Sequence, residues 1–282
     1  MKIAFTKMEG CGNDYVYING FTEKIPQEKK KELVTRLSDR HFGIGSDGVI
    51  FINPSKNADF EMEMYNADGT RSEMCGNGVR CVARYVYDHG LTDRQDFVIE
   101  SMGQKKDMHL YLQDGAVTAV RVNMGPPILQ AEKIPVIAPD SPVVRNKIEA
   151  LGEVYEMTCV SMGNPHCVIF VDDVAHFPVE KVGPVIEHSP RFPNRVNVEF
   201  VQVIDRENVR MRVWERGTGE TMACGTGCCA TTVACVLNNR TKEHVKVEVL
   251  GGELLIHWDQ DENTVWMTGP ATEVFSGTMD MR

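Results

Sequence analysis

Two cysteines each open a Gly-x-Gly turn that runs straight into a helix-like apolar segment, Met74-Cys75-Gly76-Asn77-Gly78 and Ala223-Cys224-Gly225-Thr226-Gly227. They stand 149 positions apart, one in each half of the 282-residue chain. A thiol at a helix N-terminus lies at the positive end of the backbone dipole, which favours thiolate and predicts a lowered pKa. The same exposed N–H groups suit a carboxylate. Two such thiols on opposite faces of one carbon would be a proton acceptor and a proton donor, and that arrangement inverts a stereocentre.

Superposing the two cysteines brings other residues into step. Gly12-Asn13 precedes Cys75 by the same interval, within two positions, as Gly163-Asn164 precedes Cys224. Asp47 lies 28 positions before its cysteine and Asn197 lies 27 before the other. Asn66 and Glu215 each lie nine before. Three coincidences in one order indicate a duplicated unit, with a period far too long for a solenoid.

The elements that must position these residues are mostly strands. Runs rich in β-branched and aromatic residues predict strands over 15–18, 49–52, 97–100, 109–112, 117–122, 167–171, 198–203, 209–214, 245–249, 253–257 and 265–268. Asp114-Gly115 between two of them predicts a tight hairpin. Helices are predicted over 27–40, amphipathic through Leu33, Val34 and Leu37, and over 78–88 and 227–237. The last is small or apolar on nearly every face and must be buried. Without regular strand–helix alternation the class is α+β, with two domains that each wrap a β-rich layer around a central helix. The expected division is 1–123, joined by a returning strand within 270–282, and 124–269.

Composition bounds the function. A net charge of −10 argues against a nucleic-acid surface. Lacking a long apolar run or a signal-like start, the chain is expected in the cytoplasm, off the membrane. Nine cysteines, an odd number, read as reduced thiols. Cys224, Cys228 and Cys229 lack an evident fourth partner for zinc, so no metal is expected.

Asn66-Ala67-Asp68-Gly69 leading into Met74–Cys81, Gly163-Asn164-Pro165-His166, Asn197, and Trp214–Thr221 ahead of Ala223–Gly227 together resemble the diaminopimelate epimerase family along essentially the whole chain. The resemblance implies two pseudo-symmetric halves with the active site in the cleft between them. It implies interconversion of LL- and meso-diaminopimelate, towards lysine and peptidoglycan precursors, with no cofactor. Cys75 and Cys224 would be the two bases, and a homodimer is implied as well. By the same likeness, the N–H groups of Gly76, Asn77, Gly225 and Thr226 hold the α-carboxylate. Glu215 and the Arg216 region hold the reacting ammonium. Arg216, Asn66, Asn164 and Asn197 clamp the distal end, and Asn13 belongs to the same pocket.

Plainer readings stand beside these. Gly12-Asn13 and Gly163-Asn164 are also turn dipeptides, and His166 is an accessory candidate that a loop could equally use. Cys11, Cys81, Cys159, Cys167, Cys228, Cys229 and Cys235 read as core. Gly48 stands where some family members carry glutamine. The alternative function is a proline or hydroxyproline racemase of the same architecture, though that branch typically has histidine at the places of Asn77 and Thr226. Two facing thiols would also be expected to form a reversible Cys75–Cys224 disulfide on oxidation.

Overall fold

The structure, a computed structural model, describes residues 2–72 and 76–280, so Met74 and Cys75 lie outside the described residues. The chain forms two compact units, 1–122 with 269–282 and 123–268.

In the first unit β1 (Lys2–Gly10) and β2 (Asn13–Asn19) form an antiparallel hairpin. Its turn is Cys11-Gly12, with φ of 53° and 83°. Helix α1 (Gln27–Ser38) leads to β3 (Gly48–Pro54), which lies parallel to β2. Then come β4 (Phe60–Asn66), antiparallel to β3, and the short β5 (Arg71–Ser72). After α2 (Gly76–Asp88), β6 (Asp96–Ser101) returns parallel to β4 and continues into antiparallel β7 (Gln104–Gln113) and β8 (Ala116–Gly125).

The second unit repeats this scheme. An added edge strand β9 (Asn146–Ala150) precedes β10 (Glu153–Ser161) and β11 (Pro165–Phe170). Helix α3 (Val179–Glu187) joins β11 to its parallel neighbour β12 (Asn197–Val203). Strands β13 (Asn208–Glu215) and β14 (Gly219–Thr221) follow, then α4 (Gly225–Leu237), then β15 (His244–Val249), parallel to β13. The meander closes with β16 (Gly252–Asp259) and β17 (Thr264–Gly269). The last strand, β18 (Thr272–Asp280), runs antiparallel along β1 in the first unit, from Lys2↔Asp280 to Glu9↔Thr272.

Each unit therefore has an outer helix and an inner one. Helix α1 buries Leu33, Val34 and Leu37 against β3 and β4 and leaves its other faces polar. It stops at Ser38, two residues short of expectation. Asp39 turns into extended backbone there and its carboxylate takes the N–H groups of His41 and Phe42 at 2.7 and 2.8 Å. Helix α4 is buried from Gly227 to Cys235 and packs on β10, β11, β12, β15 and β16, as a helix apolar on every face must. Helix α3 is not among the helices expected from sequence, and it carries Gly183-Pro184 within its span. The glycine is needed there: a Cβ at 183 would sit 2.6 Å from the Trp214 ring. Asp114-Gly115 forms the expected hairpin turn, both residues at positive φ (52° and 81°). Gly48 is fixed by packing, since a Cβ there would lie 2.0 Å from Tyr65 O.

The inner helix of the first unit is tied down by Arg80, which has no exposed surface. Its guanidinium donates to Asn77 Oδ1 (2.9 Å), Gly76 O (3.3 Å), Pro270 O (3.0 Å) and Cys11 Sγ (3.7 Å). One side chain thus links the start of α2 to the β1–β2 turn and to the approach to β18. Lysine keeps the charge and loses the planar fork. Arg80→Lys is expected to cost about 2 kcal/mol or more, because hydrogen bonds to a charged group contribute roughly 1.5–3 kcal/mol each. Denaturant unfolding checks this; a variant as stable as the parent would contradict it.

Candidate active site

The second unit assembles its candidate residues around the start of α4. Cys224 is the N-cap, in extended backbone, and its Sγ accepts the Gly227 N–H at 3.4 Å, the place usually held by a serine, threonine or aspartate oxygen. The Cys228 N–H is bonded to Cys224 O at 2.9 Å. That leaves the N–H groups of Gly225 and Thr226 outside the helical ladder. The first turn carries no acidic side chain to offset the dipole.

A chain of hydrogen bonds leads away from the sulfur. Thr226 Oγ1 lies 3.5 Å from Cys224 Sγ, and Asn164 Nδ2 donates to that oxygen at 3.2 Å. Asn164 Oδ1 faces His166 Nε2 at 3.0 Å, and His166 Nδ1 donates to Glu199 Oε1 at 2.7 Å. His166 and Glu199 have no exposed surface. The other carboxylate oxygen, Glu199 Oε2, is buried with no hydrogen-bond partner among the described residues.

Topology explains this gathering. Asn164 sits in the β10–β11 turn beside Gly163, at φ 101°. His166 pairs with Asn197 across the parallel β11–β12 ladder. Asn197 donates to Pro165 O at 3.2 Å and accepts the Arg216 N–H at 2.8 Å. Glu215 ends β13, where its Oε1 accepts the Thr221 hydroxyl at 2.5 Å. The Arg216 side chain is exposed and donates to Asn194 O at 2.9 Å.

In the first unit Asn13 follows the equivalent turn, accepts from Asn77 Nδ2 and donates to Asp47 Oδ2 at 3.4 Å. Gly76 and Asn77 are buried at the start of α2. Asn66 is exposed, bonded to Thr70 Oγ1 at 3.0 Å, and pairs with Gly48 across the β3–β4 ladder. Each Gly-Asn dipeptide thus lies at a turn, with Asn13 opening β2 just after it and Asn164 within it, and both asparagines hydrogen-bond to the start of the inner helix.

The electrostatics of Cys224 run against the dipole argument taken from sequence. Burial pushes its thiol well above the ordinary value, and the carboxylates of Glu215 and Glu199 push the same way. The Thr226 hydroxyl and the Gly227 N–H act in the opposite direction and are outweighed. A helix terminus is a partial charge, whereas two nearby carboxylates and near-complete burial penalise a full one. In this state the group is a thiol, a proton donor.

His166, Glu199 and Cys224 place one donor atom each within 4.8 Å of one another, a composition that zinc accepts. Both ring nitrogens of His166 already face hydrogen-bond partners, so an ion would have to displace Glu199 or Asn164. Sequence reasoning missed Glu199 and Arg80. For Glu199 the signal was available, since it is a lone charge inside the apolar pattern Val196–Val201, whereas Arg80 shares α2 with Arg84 and Asp88 and its charge alone does not single it out.

A diaminopimelate epimerase family model matches residues 5–130 and 158–274. A diaminopimelate epimerase of Agathobacter rectalis is 53% identical over 284 residues, covering 98% of this chain and 99% of the relative. One from Leptospira biflexa is 53% identical over 285 residues and covers both chains completely. The crystal structure of a hydroxyproline epimerase from Agrobacterium vitis superposes with a TM-score of 0.69 over 99% of this chain and 91% of that one. At 15% identity it shows a shared fold alone. On the identity and coverage of its relatives, the chain belongs to the diaminopimelate epimerase family and is an isomerase.

Proposed function

We propose that this chain interconverts LL- and meso-diaminopimelate by passing the α-proton between Cys224 and Cys75, with no cofactor as electron sink. The observation that carries the reading is Cys224 Sγ at the N-cap of a buried helix, with the N–H groups of Gly225 and Thr226 beside it. An amino-acid α-proton is a weak acid, so its removal requires that the charge reaching the α-carboxylate meet fixed donors. Preorganised N–H groups at a helix terminus meet that need, and such electrostatic terms are commonly the largest in catalysis.

The raised Cys224 thiol fits one direction of the reaction directly, since it is ready to donate. The other direction needs a thiolate. A substrate ammonium against Glu215 would offset the carboxylate that bears most strongly on the sulfur after burial itself. Substrate then makes its own base, and the free protein keeps an unreactive thiol. By family likeness, Arg216, Asn66, Asn164 and Asn197 are assigned to the distal carboxylate and amine, the N–H groups of Gly76 and Asn77 to the α-carboxylate, and Asn13 to the substrate pocket. Cys75 lies outside the described residues and is assigned as second base from the duplicated motif. Family likeness supports a place in lysine and peptidoglycan precursor synthesis, a cytoplasmic location and a homodimer. Among the described residues, no helix is long and apolar enough to cross a membrane.

The direct test incubates reduced protein with LL-diaminopimelate in heavy water, without cofactors, and follows α-deuteration and stereoisomers. Deuterium at the inverted centre with meso product is expected; a folded protein giving neither would overturn the reading. Cys224→Ser should fold to within about 1 kcal/mol of the parent, since serine is a favoured N-cap. It should lose at least about 10²–10⁴-fold in turnover, the usual contribution of a positioned acid or base. Normal turnover in that variant would refute the role of Cys224. Ligand-free Cys224 should react with iodoacetamide only slowly at neutral pH, because a raised thiol holds little thiolate there. Its rate should climb at pH values above the ordinary thiol range, and half-maximal labelling below that range would contradict the stated direction.

A further inference from the structure

Glu199 has no place in the reading above, yet it is the far end of the hydrogen-bond chain that starts at Cys224 Sγ. It lies on β12 at full burial, one oxygen on His166 and the other unpartnered among the described residues. Its approach to α4 is so close that a Cβ at Gly227 would lie 2.8 Å from Glu199 Oε1 and 3.3 Å from Cys224 Sγ. A buried carboxylate beside a thiol that must carry negative charge is costly on electrostatic grounds. It is offset if the carboxylate acts through a positive or polarised neighbour.

The donors and acceptors along the chain allow two arrangements. In one, His166 donates from both nitrogens, Nδ1–H to Glu199 and Nε2–H to Asn164 Oδ1. Asn164 Nδ2 then donates to Thr226 Oγ1, which leaves the threonine O–H to donate to a Cys224 thiolate. In the other, the one that goes with the resting thiol, the Asn164 amide is turned over relative to the orientation given above, a change that leaves its shape unaltered. Nδ2 donates to an unprotonated Nε2, and Oδ1 accepts the threonine O–H. The threonine oxygen then accepts from a Cys224 thiol. The two arrangements contain the same number of protons and differ by one proton placed on His166 or on sulfur. In both, Glu199 holds Nδ1–H.

We propose that Glu199 is a positioning residue for Cys224. By taking the Nδ1–H of His166 it leaves Nε2 as the nitrogen that gains or loses a proton, and so ties the charge of His166 to that of the sulfur through Asn164 and Thr226. This rests on Cys224 being one of the two bases. Among the described residues, the cluster is also faced by Glu215 on β13, the Gly227 N–H on α4, and the Cys167 thiol on β11 with Cys159 opposite it on β10, and Arg191 acts on Cys167 with the opposite sign.

The sign of one pH shift separates this role from that of a nearby charge. As a charge alone, Glu199 holds the Cys224 thiol up, so Glu199→Gln would make the thiol more acidic. Acting through His166, its removal strips the imidazolium of its partner and the thiolate of its support, so the thiol becomes less acidic. The experiment measures kcat, KM and the pH profile of kcat/KM for Glu199→Gln, with Cys224→Ser beside it. The expected result is a kcat at least about tenfold lower, short of the roughly 10²–10⁴-fold loss of the base itself. KM should hold within about twofold and the basic-group limb should move to higher pH. A limb that moves down or stays, or a kcat within about twofold of the parent, overturns the role of Glu199. If Cys224→Ser remains active, it is the underlying reading that fails. Should Glu199→Gln not fold, 15N NMR of His166 in the unaltered protein carries the test. Nε2 should change between protonated and unprotonated character as Cys224 titrates while Nδ1 keeps its proton, and an Nε2 that does not respond overturns the proposal.

Discussion

A sulfur atom that must at times be negative sits where the protein leaves little water to solvate it, and much of the second unit's polar structure is arranged around that difficulty. Cys224 caps a helix buried through most of its length. Burial and two carboxylates hold the thiol protonated. The groups that favour the anion are few and fixed: the Gly227 N–H, the Thr226 hydroxyl and the dipole of α4 behind them. Fixed donors need no reorganisation when charge appears, which is why a rigid, fully packed helix is a better platform here than a loop. Gly227 serves this packing in a specific way, since any side chain there would press on both the sulfur and Glu199.

One topology serves both units, with different polar fittings. In each, a tight turn delivers an asparagine towards the start of the inner helix, Asn13 to Asn77 and Asn164 to Thr226. In each, a parallel pair of strands joined by an outer helix brings the next polar residue alongside, Asp47 in one and Asn197 in the other. The balancing groups then diverge. The first unit anchors its inner helix with the buried guanidinium of Arg80, whereas the second sets a His166–Glu199 pair beside its thiol.

Much of this was legible in the residues. The duplicated cysteine motif, the buried character of α4, the amphipathic α1 and the Asp114-Gly115 hairpin follow from local chemistry and periodicity. Where tertiary contact overrides local preference, the sequence misleads. Helix α3 contains Gly183-Pro184, a pair that local preference sets against a helix, and it packs closely on Trp214. Its place was recoverable from the repeat, because α1 occupies the same position between parallel strands. Strand β4, with charges at Glu61 and Glu63, lacks clean alternation because Glu63 turns inward to Lys30 and Tyr65. The acidity of Cys224 is not legible in sequence either: the helix terminus is visible there, but two carboxylates from β12 and β13 meet the sulfur only once the chain is folded.

The central claim is that Cys224 is a thiol at rest and becomes a base when a bound ammonium offsets Glu215. The most direct measurement is the ultraviolet absorbance of the Cys224 thiolate, taken as the difference between the protein and Cys224→Ser, titrated over pH without ligand and with saturating diaminopimelate. The account predicts an apparent pKa above the ordinary thiol value in the free protein and a clear fall on binding. A thiol that is already acidic in the free protein, or one whose titration stays put or rises with ligand, would contradict it.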